Sequence, residues 1–225
     1  MRSRRAGGAK GKQPLCRRTV TTSEDPRMTT LLEIDRIFVR QRAKLIELSN
    51  EFGVFDEQGR QIATFREGGQ SAWRKALRLL TKVDSLLTHT YSLHDASGAK
   101  VLGLVRPATA WKSRVEVTDA TGAPAGRLVQ ENVFGKVRFR MESPDGQPIG
   151  YVNAENWRAW NFQIADAAGA EIGRVTKKWG GVAREVFTTA DNYLVEIAPG
   201  VEGSLRLLAL ASGVGIDTAL KQAEG

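Results

Sequence analysis

The sequence predicts a mainly β (α+β) fold: an antiparallel β-barrel of consecutive hairpins closed around one central, hydrophobic C-terminal helix. Three observations predict it. A turn motif recurs at a nearly constant interval, apolar and charged residues alternate between the turns, and the last segment of the chain has no polar side.

That last segment is SLRLLALASGVGIDTALKQ, about residues 204–222, in which every residue from Leu207 to Ile216 is apolar or small. A helix without a polar face belongs in a core or a membrane. Length decides between them, because ten residues of helix cover roughly 15 Å and a bilayer core is about 30 Å thick. Extending the segment takes in Arg206 and Asp217, both costly at membrane depth. The expectation is a buried helix with Leu207, Leu208, Leu210, Val214 and Ile216 in the core and Ser204 as its N-cap after the breaker run APGVEG.

The turn motif is D-x-x-G. Gly59, Gly98, Gly122, Gly146 and Gly169 are spaced 39, 24, 24 and 23 residues apart, and Asp56, Asp95, Asp119 and Asp166 stand three before four of them. Gly146 is the exception, with Asp145 beside it in SPDG. Asp bonds its own backbone ahead and Gly supplies a positive φ, which is the chemistry of a hairpin turn. Three residues beyond each Gly stands Ile62, Val101, Ala125, Ile149 or Ile172, and the next residue is small in all cases but Leu102. A period near 24 residues fits two strands and two turns, a β-meander. The longer first interval contains QSAWRKALRLLTK, where Trp73, Ala76, Leu77 and Leu80 fall on one helical face, so a short amphipathic helix is expected there.

Strand signals begin with RIFVR (Arg36 to Arg40) and KLIELSNEFGVF (Lys44 to Phe55). In WKSRVEVT, Trp111, Val115 and Val117 point one way and Lys112, Arg114 and Glu116 the other. In FGKVRFRME the inward set is Gly135, Val137, Phe139 and Met141, with Lys136, Arg138, Arg140 and Glu142 outward. Trp160, Phe162 and Ile164, and then Tyr193, Val195 and Ile197, share inward faces further on. A sheet with one apolar face must close over something, and the final helix is the segment without a polar side of its own.

The chain has 225 residues, enough for one large domain. Cys16 is its only cysteine, which rules out a disulfide framework and a thiolate metal cluster. No apolar run follows the basic N-terminus in the manner of a signal peptide, and a cytoplasmic location, possible as a peripheral one at a membrane, is the expectation. Residues 1–27 hold eight basic residues against Glu24 and Asp25, six of the formal net charge of +8. They are poor in large apolar residues and are expected to form a disordered basic arm, with residues 28–225 as the barrel domain. The arm reads either as a nucleic-acid or anionic-lipid contact or as a solvated tail.

Repeated D-x-x-G hairpins leading to one apolar C-terminal helix resemble the tubby C-terminal-like superfamily, and within it the phospholipid scramblase and LURP-one-related group. FGVFDEQGRQI (Phe52 to Ile62) is similar to the opening strands of that group, and LRLLALASGVGIDTALK resembles its closing helix. The resemblance covers roughly Thr30 to Lys221 and implies about twelve strands threaded by the helix. It also implies a phospholipid-related role, with calcium as a possible cofactor; the expected partner is an anionic phospholipid membrane surface, and the chain is expected to be a monomer. The chain lacks the proline-rich N-terminal region and the cysteine cluster of the animal scramblases, and its helix runs to the chain end. The expectation is therefore headgroup binding without transbilayer transport.

The residues carry no signature of an enzyme: there is no G-x-S-x-G elbow, no Cys with a partner His and no Walker loop. Calcium needs several carboxylates within one loop, whereas the four turn aspartates stand singly. His89 and His94 are too few for zinc. What remains is basic and aromatic together: Lys112, Arg114, Lys136, Arg138, Arg140, and Lys177 and Lys178 beside Trp179. These residues suit phosphate, and Trp157 and Trp179 suit a headgroup interface. The bland alternative is ordinary strand surface paired with Glu116, Glu131 and Glu142 across the ladder. A nucleic-acid or protein-interaction domain using the basic arm is the second functional reading, and ligand storage inside the barrel a third.

Overall fold

The five repeated turns share one hydrogen-bond frame in the computed structural model, which describes residues 31–41, 51–68, 88–109, 112–132, 135–156, 161–176 and 192–223. Gly59, Gly98, Gly122 and Gly169 donate their amides to the carbonyls of Asp56, Asp95, Asp119 and Asp166 at 3.0 to 3.2 Å. The carboxylates then reach ahead, as where Asp95 Oδ1 accepts from the amides of Ser97 at 2.8 Å and Ala99 at 2.9 Å. SPDG obeys the same frame with a hydroxyl in place of the carboxylate: Gln147 N–H donates to Ser143 Oγ at 3.1 Å, and the Ser143 hydroxyl donates to Asp145 at 2.6 Å. Its departure from D-x-x-G is one of residue type, not of geometry.

The apolar residue three beyond each glycine proves to be a β-bulge. Val54 pairs with Ala63 and Phe55 with Gln61, so Ile62 is the extra residue; Val101, Ala125, Ile149 and Ile172 are passed over in the same way in the other four hairpins. A bulge adds local twist and bends its strand, and five of them curl the meander toward closure. The small residue that follows has its own cause. A Cβ on Gly126, Gly150 or Gly173 would lie 2.3 to 2.6 Å from a carbonyl oxygen of Glu142, Ala165 or Glu196. Leu102 is tolerated at this place because it faces Leu93 inside.

The described residues form twelve strands: β1 (Arg36–Gln41), β2 (Glu51–Phe55), β3 (Gln61–Gly68), β4 (His89–Asp95), β5 (Lys100–Arg106), β6 (Arg114–Thr118), β7 (Pro124–Gln130), β8 (Arg138–Glu142), β9 (Pro148–Ala154), β10 (Asn161–Asp166), β11 (Glu171–Thr176) and β12 (Asn192–Ile197). Each pairs antiparallel with its chain neighbours, and β1 pairs with β12 to close the barrel. The expected alternation is kept at Val115, Val117, Phe139, Met141, Phe162, Ile164, Tyr193, Val195 and Ile197, all buried. It is not kept at Gly135, which precedes β8 and is exposed, nor at Glu142, expected outward and buried beside the bulge at the end of β8.

The helix, α1 (Gly203–Ala223), starts one residue before the expected span and ends one after it. The Arg206 amide bonds the Glu202 carbonyl at 3.4 Å, so Ser204 lies within the first turn instead of capping it. Leu208, Leu210, Val214 and Ile216 are 0 to 2% exposed, and Leu207 packs half-buried against the same core. The helix touches β5, β6, β7, β9, β11 and β12. Its buried hydroxyls turn back on the helix, Ser212 donating to Ala209 O at 2.6 Å and Thr218 to Gly215 O at 2.9 Å, which removes the cost of an unpaired polar group in a core.

Two buried arginines tie the helix to the wall. At the entry end Arg206 donates to Val201 O at 3.3 Å and Ile34 O at 3.0 Å. Toward the far end Arg106, on β5, donates to Thr218 O at 2.5 Å. Beside it on β4, the buried His89 meets Glu67 at 2.6 Å.

Several expectations lie outside the described residues: the arm at 1–27, the strand signal at 44–50, the insert helix around Trp73, and Trp111, Trp157, Trp160, Lys177, Lys178 and Trp179.

Candidate functional site

The expected basic residues that the structure describes gather on the outer face of β6, β7 and β8 and the far rim, opposite the bulged turns. Period-2 alternation sends Arg114, Arg138 and Arg140 outward while their neighbours enter the core. Lys112 precedes β6, and Lys136 lies on the connection from β7 to β8, where both are exposed. Arg127, not among the expected residues, stands between them on β7, opposite Glu116 and Glu142 in the two flanking registers.

Glu131 is the hub of this face. Its carboxylate is held by Arg138 at 3.0 Å and Arg140 at 3.1 Å, and its carbonyl accepts from Lys112 Nζ at 2.7 Å. The Arg138 guanidinium lies 4.1 Å over the Tyr151 ring, a cation–π contact. Arg114 pairs with Glu116 at 3.2 Å. The acidic partners named from sequence are therefore present. They do not balance the face, where Lys112, Arg114, Arg127, Lys136, Arg138 and Arg140 stand against Glu116, Glu131 and Glu142. Among the described residues no ion pair of Lys136 with a carboxylate is found, and the residue is exposed.

Glu142 is the member of the set most withdrawn from water, with a side chain 7% exposed between Arg127 and Arg140. Burial pushes its carboxyl up, but hydrogen bonds and charge from the two guanidiniums together outweigh that and hold it below the ordinary value of 4.5. A carboxylate held low in the folded state contributes stability above its unfolded pKa and loses it as pH falls through the folded value. Glu142→Gln is accordingly expected to cost about 1–2 kcal/mol at neutral pH and to flatten the acid limb of Tm against pH below the ordinary value of 4.5. A parent-like slope in the variant's thermal melts would count against this assignment.

The resemblance brought calcium into consideration, and the described residues do not suit it. No three of their carboxylates or histidines converge, and the turn aspartates are committed to their own turns: Asp56 Oδ1 accepts from Gln58 and Arg60 amides at 3.0 and 2.9 Å, and Asp119 Oδ1 from Thr121 and Ala123 amides, both at 2.9 Å. His94 is spent on Gly98 O and Ser92 Oγ at 3.1 and 2.9 Å. Among the described residues no helix is long and apolar enough to cross a membrane.

A twelve-strand barrel threaded by its own C-terminal helix, with a basic outer face, defines the class of protein. The family model described as Scramblase matches residues 17–220, and the chain belongs to that family. Among curated proteins it is similar to phospholipid scramblase 1 of Rattus norvegicus, with 20% identity over 85% of this chain and 61% of the relative. It is similar as well to altered inheritance rate of mitochondria protein 25 of Saccharomyces cerevisiae, with 21% identity over 76% of this chain and 61% of the relative. A phospholipid scramblase family protein of Schizosaccharomyces pombe is 21% identical over 83% of this chain and 54% of its own length. The chain thus spans between about half and three fifths of the relatives it matches.

Proposed function

We propose that this chain is a peripheral module that binds anionic phospholipid headgroups through the outer face of β6 to β8 and the adjoining rim, and that it does so without moving lipid between leaflets. The observation that carries the reading is the surplus of cations on that face, together with membership of a family whose relatives include a phospholipid scramblase by name. Lys136 and Lys112 are the first contacts, since neither gives up a carboxylate to meet a phosphate. Arg138, whose side chain is 47% exposed, follows by exchanging Glu131 for a lipid phosphate at small net cost, because ion pairs near the surface are worth little in water. Arg140 belongs to the proposal beside it while keeping Glu142. Lys177, Lys178 and Trp179 belong to the proposal as further headgroup contacts. The buried state of α1 supports surface binding over spanning: leaving the barrel would expose Leu208, Leu210 and Val214, each 0 to 1% exposed.

Sedimentation with vesicles tests it. The full chain is expected to pellet with vesicles containing phosphatidylserine and to stay in solution with phosphatidylcholine alone. Each basic residue at such a surface contributes about 1 kcal/mol, so Lys136→Gln lowers the partition coefficient about fivefold and the Lys112→Gln/Lys136→Gln pair about twenty-five-fold. Equal partitioning into neutral vesicles overturns the reading, and calcium-stimulated transfer of labelled lipid across the same vesicles overturns its second half.

A further inference from the structure

The opposite end of the barrel carries a groove of about 860 Å³ between the β2–β3 turn, the starts of β1 and β11 and the end of β12. Its floor is apolar, with Ile34, Ile172 and Ile197, and its walls are charged. The charge leans acidic in a chain that is basic as a whole: five carboxylates against three guanidiniums. Every guanidinium there is already held. Arg36 binds Glu196 at 2.8 Å, Arg60 binds Asp56 at 2.7 Å, and Arg174 binds Glu171 at 2.5 Å and also Glu155. An anion entering the groove would have to break these pairs. A cation would not, since Asp35 and Glu57 have side chains 46% and 54% exposed and only long contacts to arginine, 3.4 and 3.5 Å.

We propose that this groove is the docking site of the chain's own basic N-terminal segment, and specifically of LCRRTV, Leu15 to Val20. Charge and polarity agree: Arg17 and Arg18 suit the carboxylates of the groove, and Leu15 and Val20 suit its isoleucines. Place agrees too. The chain enters the described structure at Leu31, and Ile34 and Asp35, which line the groove, are pinned there by Arg206 at 3.0 and 3.4 Å. The eleven residues from Val20 to Leu31 reach up to roughly 36 Å, more than the groove requires. Tethering supplies an effective concentration on the order of millimolar, so a weak contact suffices to hold the segment. This inference does not rest on the lipid reading, since it concerns the other end of the barrel and is tested without lipid.

Cys16, the sole cysteine, lies inside the segment and takes a nitroxide spin label in the full chain. Paramagnetic broadening of backbone amides then maps where the segment resides. A tethered but undirected segment also passes nearby, at a root-mean-square distance of roughly 21 Å from Leu31, so the readout is the dependence on charge. At low salt the amides of Glu57 to Arg60 and Glu171 to Arg174 are expected to be the most broadened. Their intensity should recover about twofold or more in roughly 1 M salt, where the screening length falls to about 3 Å. The exposed double variant Glu57→Lys/Glu171→Lys should give the same recovery at low salt. Broadening that is indifferent to salt, or that is centred on Arg138 to Glu142, overturns the proposal, and the salt series decides even if the variant folds poorly.

Discussion

Substituting alanine for Gly173 is expected to lower the stability of the barrel by roughly 3 kcal/mol, the upper range for forcing a methyl group into a filled space. The methyl carbon would lie 2.3 Å from Glu196 O and 3.3 Å from Ile197 Cα. Both are backbone atoms of β12, so no rotamer change relieves the clash, and the strands must separate where Gly173 faces Ile197. That separation strains the ladder next to the closing seam, because β12 is also the strand that pairs with β1. Gly169→Ala is the comparison: its Cβ meets open space, and only its φ of +87° resists the change, a cost of about 1–2 kcal/mol. Urea unfolding of the two variants measures the difference. If Gly173→Ala melts at the same midpoint as the parent, β11 and β12 are further apart than described.

Gly213→Leu is expected to cost at least as much and to act on the helix. Glycine in a helix interior is unfavourable by about 1 kcal/mol relative to alanine, and α1 carries two, Gly213 and Gly215, in its middle. The barrel wall explains them. A Cβ on Gly213 would sit 2.7 Å from Val195 Cγ2, and one on Gly215 3.3 Å from Leu128 Cδ1. The β-branched Val195 has little χ1 freedom to retreat, so a leucine at 213 exceeds what the helix's improved propensity can offset. The expected result is a loss of roughly 3 kcal/mol or more, with binding of a hydrophobic dye as the helix loosens. A variant with parent-like unfolding and no dye binding would mean that the helix lies farther from β12.

Legibility from sequence followed the range over which each feature is decided. The helix was legible because an all-apolar face needs no partner to be recognised, and the hairpins because D-x-x-G acts within four residues. The inward faces of β6, β8, β10 and β12 followed from alternation within single strands. The cause of the apolar residue after each turn was not legible. A bulge is defined by the partner strand, and only the paired registers of Ile62, Ala125 and Ile149 expose it. Of the basic face, the lysines and arginines and their acidic neighbours were legible. Arg127 was passed over because its place beside Glu142 depends on β7 lying next to β8. Arg206 read only as a charge costly at membrane depth and Arg106 drew no reading; their role as ties between helix and wall appears once Ile34 O and Thr218 O are located.

The seam between β1 and β12 orders events during synthesis. The five hairpins with bulged turns meet locally and can form as soon as they emerge, whereas Arg36 and Glu196, which mark the seam, are separated by 160 positions. Pairing over such a separation carries a loop-closure penalty and is slow. The segment that fills the interior emerges later still, so a ribosome that has just finished β12 holds a curled sheet with an empty, greasy trough and a bare flank at its first strand. Exposed edges of that kind invite pairing with other chains, which makes the interval between completion of β12 and arrival of α1 the one of greatest hazard for this molecule.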